Sequence, residues 1–77
     1  MIEFILSSHA QKRIKQRKIK REWILSALES PDEFENDVDD FELCHAIKEI
    51  PEKCFNRLRV VYNETKVPWL IVTAYFE

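Results

Sequence analysis

Apolar residues along this chain change their spacing twice, and the changes divide it into elements. Ile2-Glu3-Phe4-Ile5-Leu6 is short, β-branched and aromatic, which predicts a first strand. Ser8-His9-Ala10-Gln11 has the spacing of a capping box, in which the serine hydroxyl and the Gln11 amide satisfy orphan backbone donors. A helix is therefore expected from Ser8 to about Lys18. Trp23, Ile24, Ala27 and Leu28 then recur at helical spacing and predict a second helix near Arg21 to Glu29. It should stop at Ser30-Pro31, because the residue before a proline is pushed out of helical geometry.

Beyond Pro31 the period becomes two. Residues 31–40 read as a loop. Phe41, Leu43, His45 and Ile47 then alternate with Glu42, Cys44, Ala46 and Lys48. In the following segment Leu58, Val60 and Tyr62 share one strand face, and Arg57, Arg59 and Val61 share the other. Val67 to Phe76 is almost wholly apolar, as in a central strand covered on both sides. Asn63-Glu64-Thr65-Lys66 is expected to turn between these two strands. The order β-α-α-β-β-β implies an α+β fold, with two helices packed on a small, mostly antiparallel sheet. At 77 residues, the chain 1–77 reads as one domain.

Composition narrows the function classes. An apolar fraction of 45% is too high for a disordered chain. Glycine is absent, which removes Gly-rich phosphate loops and dinucleotide fingerprints, since no other residue lets the backbone approach a phosphate so closely. Cys44 and Cys54 are too few for a disulfide framework and lack the paired spacing of a structural zinc site, so both are expected to be reduced, packed as small hydrophobes. Asp37, Asp39, Asp40 and Glu42 lack the glycine and ligand spacing of a calcium loop. Neither metal nor cofactor is expected. The first residues lack the pattern of a signal peptide, and the apolar run Val67–Val72 falls well short of the roughly 20 residues that span a bilayer. A cytoplasmic protein with no membrane association is the expectation.

Charge is balanced overall, at −2, but segregated along the chain. Residues 1–28 carry seven basic and two acidic side chains, whereas residues 29–52 carry ten acidic and one basic. This balance excludes a simple basic coat for nucleic acid while leaving room for a local cationic patch. So small a core also favours association, with a partner protein or as a homodimer.

Two constellations offer chemistry. At about 100° per residue, His9, Arg13 and Arg17 fall on one stripe of the first helix beside the apolar Ala10 and Ile14. Guanidinium groups grip phosphate, and an imidazole exchanges a proton near neutral pH. The plainer alternative pairs Arg13 and Arg17 with carboxylates of residues 32–42. In the second constellation Arg57 and Arg59 share a strand face, and strand alternation puts Thr73 and Tyr75 together with Trp69 and Ile71. If the two strands pair, the sheet gains a cationic, hydroxylated patch. Its alternative is a solvated strand face over core tyrosines. RNA cleavage without metal needs a base for the 2′-hydroxyl, an acid for the leaving oxygen and cations for the developing phosphorane charge. His45 or His9, Tyr75 or Tyr62, and the arginines fit those roles.

The run His9-Ala10-Gln11-Lys12-Arg13-Ile14-Lys15-Gln16-Arg17-Lys18-Ile19, followed by a second helix ending at proline, resembles a bacterial small-domain family of unassigned function near the RelE/ParE-like toxins, similar in layout to BrnT. Leu58-Arg59-Val60-Val61-Tyr62 and Ile71-Val72-Thr73-Ala74-Tyr75 resemble its closing strands. The resemblance implies a RelE-like α+β domain and a toxin of a toxin–antitoxin module. Such a toxin cleaves mRNA, often on the ribosome, and is held inactive by a cognate antitoxin. ParE-like members poison gyrase instead. A non-catalytic descendant that binds a basic protein is the remaining alternative. The positions carried over are His9, Arg13, Arg17, Arg59, Thr73 and Tyr75. Lys18 stands where relatives often have glycine.

Overall fold

The computed structural model describes residues 2–77. Five strands, β1 (Phe4–Leu6), β2 (Glu33–Asn36), β3 (Leu43–Ile50), β4 (Asn56–Asn63) and β5 (Trp69–Phe76), form one sheet in the order β1-β5-β4-β3-β2. Helices α1 (Ser8–Arg17) and α2 (Arg21–Glu29) cover one side of it. All pairings are antiparallel except β1 with β5, which is parallel. The expected α+β elements therefore occur in the expected order, joined by one further strand, β2, in a mixed sheet. Among the described residues no helix is long and apolar enough to cross a membrane.

α1 starts as expected, but its cap is Ser7 rather than Ser8. The Ser7 hydroxyl accepts the Ala10 N–H at 3.0 Å, and its own backbone N–H continues the β1–β5 ladder to the Ile71 carbonyl at 3.0 Å. That ladder holds Ser7 extended, at φ −65° and ψ 164°, which is the conformation a cap requires. Gln11 turns to the Leu6 carbonyl instead of closing a capping box. α1 ends on Lys18 in the left-handed region, φ 55°, with the Ile19 N–H reaching back to the Ile14 carbonyl. α2 buries Trp23, Ile24, Ala27 and Leu28 and stops at Ser30, as the sequence predicts.

Three differences from expectation are instructive. The segment read as a loop contains the edge strand β2, because β3 supplies a ladder that Glu-Phe-Glu-Asn would not form alone. β3 begins at Leu43, leaving Phe41 exposed in the preceding turn. The last strand begins at Trp69, and Val67 is exposed before it.

The core lies between helices and sheet, where Cys44, Ala46, Ile50, Leu58, Val60, Tyr62, Ile71 and Ala74 meet Ala10, Ile24 and Ala27. A β-bulge falls opposite Val61 and Tyr62, since Val61 pairs with Thr73 while Tyr62 pairs with Ile71. The extra residue, Val72, flips the alternation of β5. Trp69 and Ile71 thus face the helices, whereas Thr73 and Tyr75 face the open side, and the four do not share one face. Cys44 is buried and Cys54 is exposed, and both are free. Only Cys44 packs as a small hydrophobe.

Candidate functional site

The open sheet face gathers side chains from four elements. In register across it, Glu33, Ile47, Arg59 and Tyr75 form one row, and Glu35, His45, Val61 and Thr73 form the next. Ile47 and Val61 are buried, so polar side chains stand around an apolar floor. Arg57 lies one row further along, opposite Glu49.

Arg59 is the centre of this face, with its side chain only 15% exposed. Its Nη1 donates to Glu35 Oε2 at 3.0 Å and to His45 Nδ1 at 2.8 Å, and its Nη2 donates to Glu77 Oε2 at 3.4 Å. Burial works against its charge, but the carboxylates of Glu35 and Glu77 outweigh burial and hold the guanidinium above its ordinary pKa. A guanidinium only donates, so the partnered His45 Nδ1 must be the acceptor and Nε2 must carry the proton. Nε2 donates to Asp37 Oδ1 at 2.8 Å. That bond, helped by the backbone N–H groups of Asp39 and Asp40, lowers the Asp37 carboxyl below its ordinary range. The result is an Asp37–His45–Arg59 chain with the imidazole fixed in one tautomer. Arg57 pairs with Glu33 and, at 3.7 Å, with Glu77.

The residues singled out in the sequence divide into two groups. His45, Arg57, Arg59, Thr73 and Tyr75 share the open face. His9 and Arg13 stay on the helix layer, His9 exposed in the first turn of α1 and Arg13 donating to Gln16 within the same helix at 3.5 Å. Arg17 bridges the two sides, its Nη1 donating to the Ala74 carbonyl at 2.8 Å and its guanidinium lying 5.9 Å from the Tyr75 ring centre. It does so because β1 spans only three residues and leaves the outer edge of β5 uncovered at Ala74. The helical stripe therefore reaches the face only through its last member. Tyr62 is excluded, since it faces the helices, stacks on Trp69 at 5.0 Å and has its hydroxyl pushed up to about 12 by burial.

Sequence reasoning missed Asp37, Glu35 and Glu77. Glu35 stands 24 positions from Arg59, and no local pattern announces such a pair. For Asp37 a signal existed, because Asp37-Val38-Asp39-Asp40 is a turn composition whose side chain accepts the N–H groups of Asp39 and Asp40. Among the described residues, no group of three or more His, Cys, Asp and Glu side chains is arranged to hold a metal ion.

A family model described as "Domain of unknown function (DUF4258)" matches residues 6–76. The chain belongs to this family. The DUF4258 match runs from the end of β1 to the end of β5, and so includes every strand of the open face. Comparisons with curated proteins and with solved structures found no match.

Proposed function

We propose that this DUF4258 domain is a RelE-like, toxin-like component of a bacterial toxin–antitoxin module, a metal-independent endoribonuclease acting in the cytoplasm on RNA phosphodiesters. The observation that carries the reading is the placement of His45 against Arg59, 2.8 Å apart, on an open face shared with Tyr75 and Thr73. Asp37 holds the His45 Nε2 proton, so the Nδ1 lone pair is directed at Arg59. When a phosphate draws Arg59 and Arg57 onto its oxygens, that lone pair is freed to take the proton of a 2′-hydroxyl. The 2′-oxygen then attacks phosphorus, the guanidiniums balance the added charge, and Tyr75 protonates the departing 5′-oxygen. Thr73 and Arg17 line the edge of this face as substrate contacts.

The carboxylates already paired with the arginines do not forbid this step. Glu33 and Glu35 are each 54% exposed and can turn to water as a phosphate takes their arginines, whose forked, charge-assisted contact replaces the pairs. The same pairs favour a second reading, in which the face is a non-catalytic module for a basic protein.

Tightly controlled expression separates the readings. The nuclease arrests growth and fragments transcripts, and Arg59→Ala lowers cleavage by about 100-fold or more while the circular dichroism spectrum is unchanged. Normal growth with intact transcripts at high expression sinks it in favour of the binding module. Intact RNA with DNA-damage signalling identifies a gyrase poison instead.

A further inference from the structure

Among the described residues, the sheet ends at β2 with an unpartnered edge. Asp37 donates its backbone N–H inward to the Leu43 carbonyl at 3.1 Å, and alternation then turns the backbone groups of Phe34 and Asn36 outward. Natural sheet edges are blunted by lysine, proline or a bulge, because a bare edge is a template for another strand. β2 carries no lysine, proline or bulge and pairs with β3 in unbroken register; the charge that it does carry, on Glu33 and Glu35, restricts which strand can join it.

Side chains on β2 specify what such a strand must carry. Glu33 and Glu35 project to the open face, where Arg57 and Arg59 neutralise only part of the local negative charge. Phe34 projects to the opposite face and is 52% exposed. Along the same arm Val38 is 90% exposed and Phe41 94% exposed, so large apolar side chains crowd an otherwise acidic stretch. With ten acidic and one basic residue across 29–52, an acidic strand is repelled and a basic one is attracted.

We propose that β2 accepts an extended segment of another protein as a sixth strand, and that this segment alternates basic residues, set against Glu33 and Glu35, with apolar residues set against Phe34. Backbone pairing supplies affinity, and the alternating side chains supply selectivity. The inference goes beyond the nuclease reading and does not require it, since the docking edge is distinct from the Arg59–His45 contact. It does touch that site, because lysines of the added strand compete with Arg57 and Arg59 for the same carboxylates.

A synthetic peptide of alternating lysine and valine tests this directly, with a glutamate–valine peptide as its counterpart. The lysine peptide is expected to shift the amide resonances of Phe34 and Asn36 first, with affinity falling as salt is raised. Asn36→Pro removes an outward donor at an edge position where proline is tolerated, and should weaken binding by about tenfold or more. The double variant Glu33→Lys/Glu35→Lys should exchange the preference, taking the glutamate peptide over the lysine one. Four outcomes overturn the proposal: shifts confined to other strands, no binding by the lysine peptide, equal binding of both peptides, or an unreversed preference in the charge-swapped protein.

Discussion

Lys18 occupies a position built for glycine. Its φ of 55° lets the Ile19 N–H reach the Ile14 carbonyl and close α1, but a side chain there crowds the following carbonyl. Lys18→Gly is expected to stabilise the domain by about 1 kcal/mol, read as a higher urea midpoint at unchanged slope. The end of the helix near Lys18 was legible in the sequence, whereas its left-handed backbone was set by the bond from Ile19 back to Ile14. Arg59 divides in the same way. Its identity and strand face were readable from Leu58-Arg59-Val60, yet its partners were not, since Glu35, His45 and Glu77 come from distant positions.

At the scale of elements, the short β1 has the largest consequences. It covers β5 only through Ile71, so the carbonyls of Val72 and Ala74 face outward with no strand among the described residues to meet them. The Ser7 hydroxyl donates to Val72 at 3.2 Å and Arg17 donates to Ala74. One serine thus caps α1 and seals the sheet edge together. Ser7→Ala should cost about 1–2 kcal/mol and speed hydrogen exchange at the Ala10 amide, whose acceptor is lost. A serine cap was expected one residue later, at Ser8. Both serines satisfy the local rule, and the parallel pairing with β5 decides between them. The bulge at Val72 is of the same kind, invisible in a run that is almost wholly apolar and so has no polar period for it to interrupt.

Across the whole molecule, the ion pairs of the open face join β2, β3, β4 and the C-terminal Glu77. Acid is expected to weaken this face through Asp37. The Asp37 carboxyl is lowered in the folded state, chiefly by the His45 N–H and then by the Asp39 backbone N–H. A lowered carboxyl contributes stability above its unfolded value of about 4, and that contribution is lost as pH falls through the folded value. Asp37→Asn should therefore be less stable than the native sequence near neutral pH and converge with it in acid, measured as urea midpoints across pH. If the gap is unchanged in acid, the His45–Asp37 bond does not couple to folding.

The sequence by itself determined the two helices with their buried Trp23, Ile24, Ala27 and Leu28, the strands other than β2 and the order in which they follow, and the grouping of Arg57 with Arg59 on one strand face. Each of these rests on spacing within a few residues, where propensity and periodicity act. Only the tertiary structure decided that residues 33–36 form an edge strand, that Thr73 and Tyr75 turn away from Ile71, and that His45 rather than His9 meets Arg59. These depend on pairing between segments far apart in the chain, whose register is set by hydrogen-bond ladders and one bulge that no local pattern encodes.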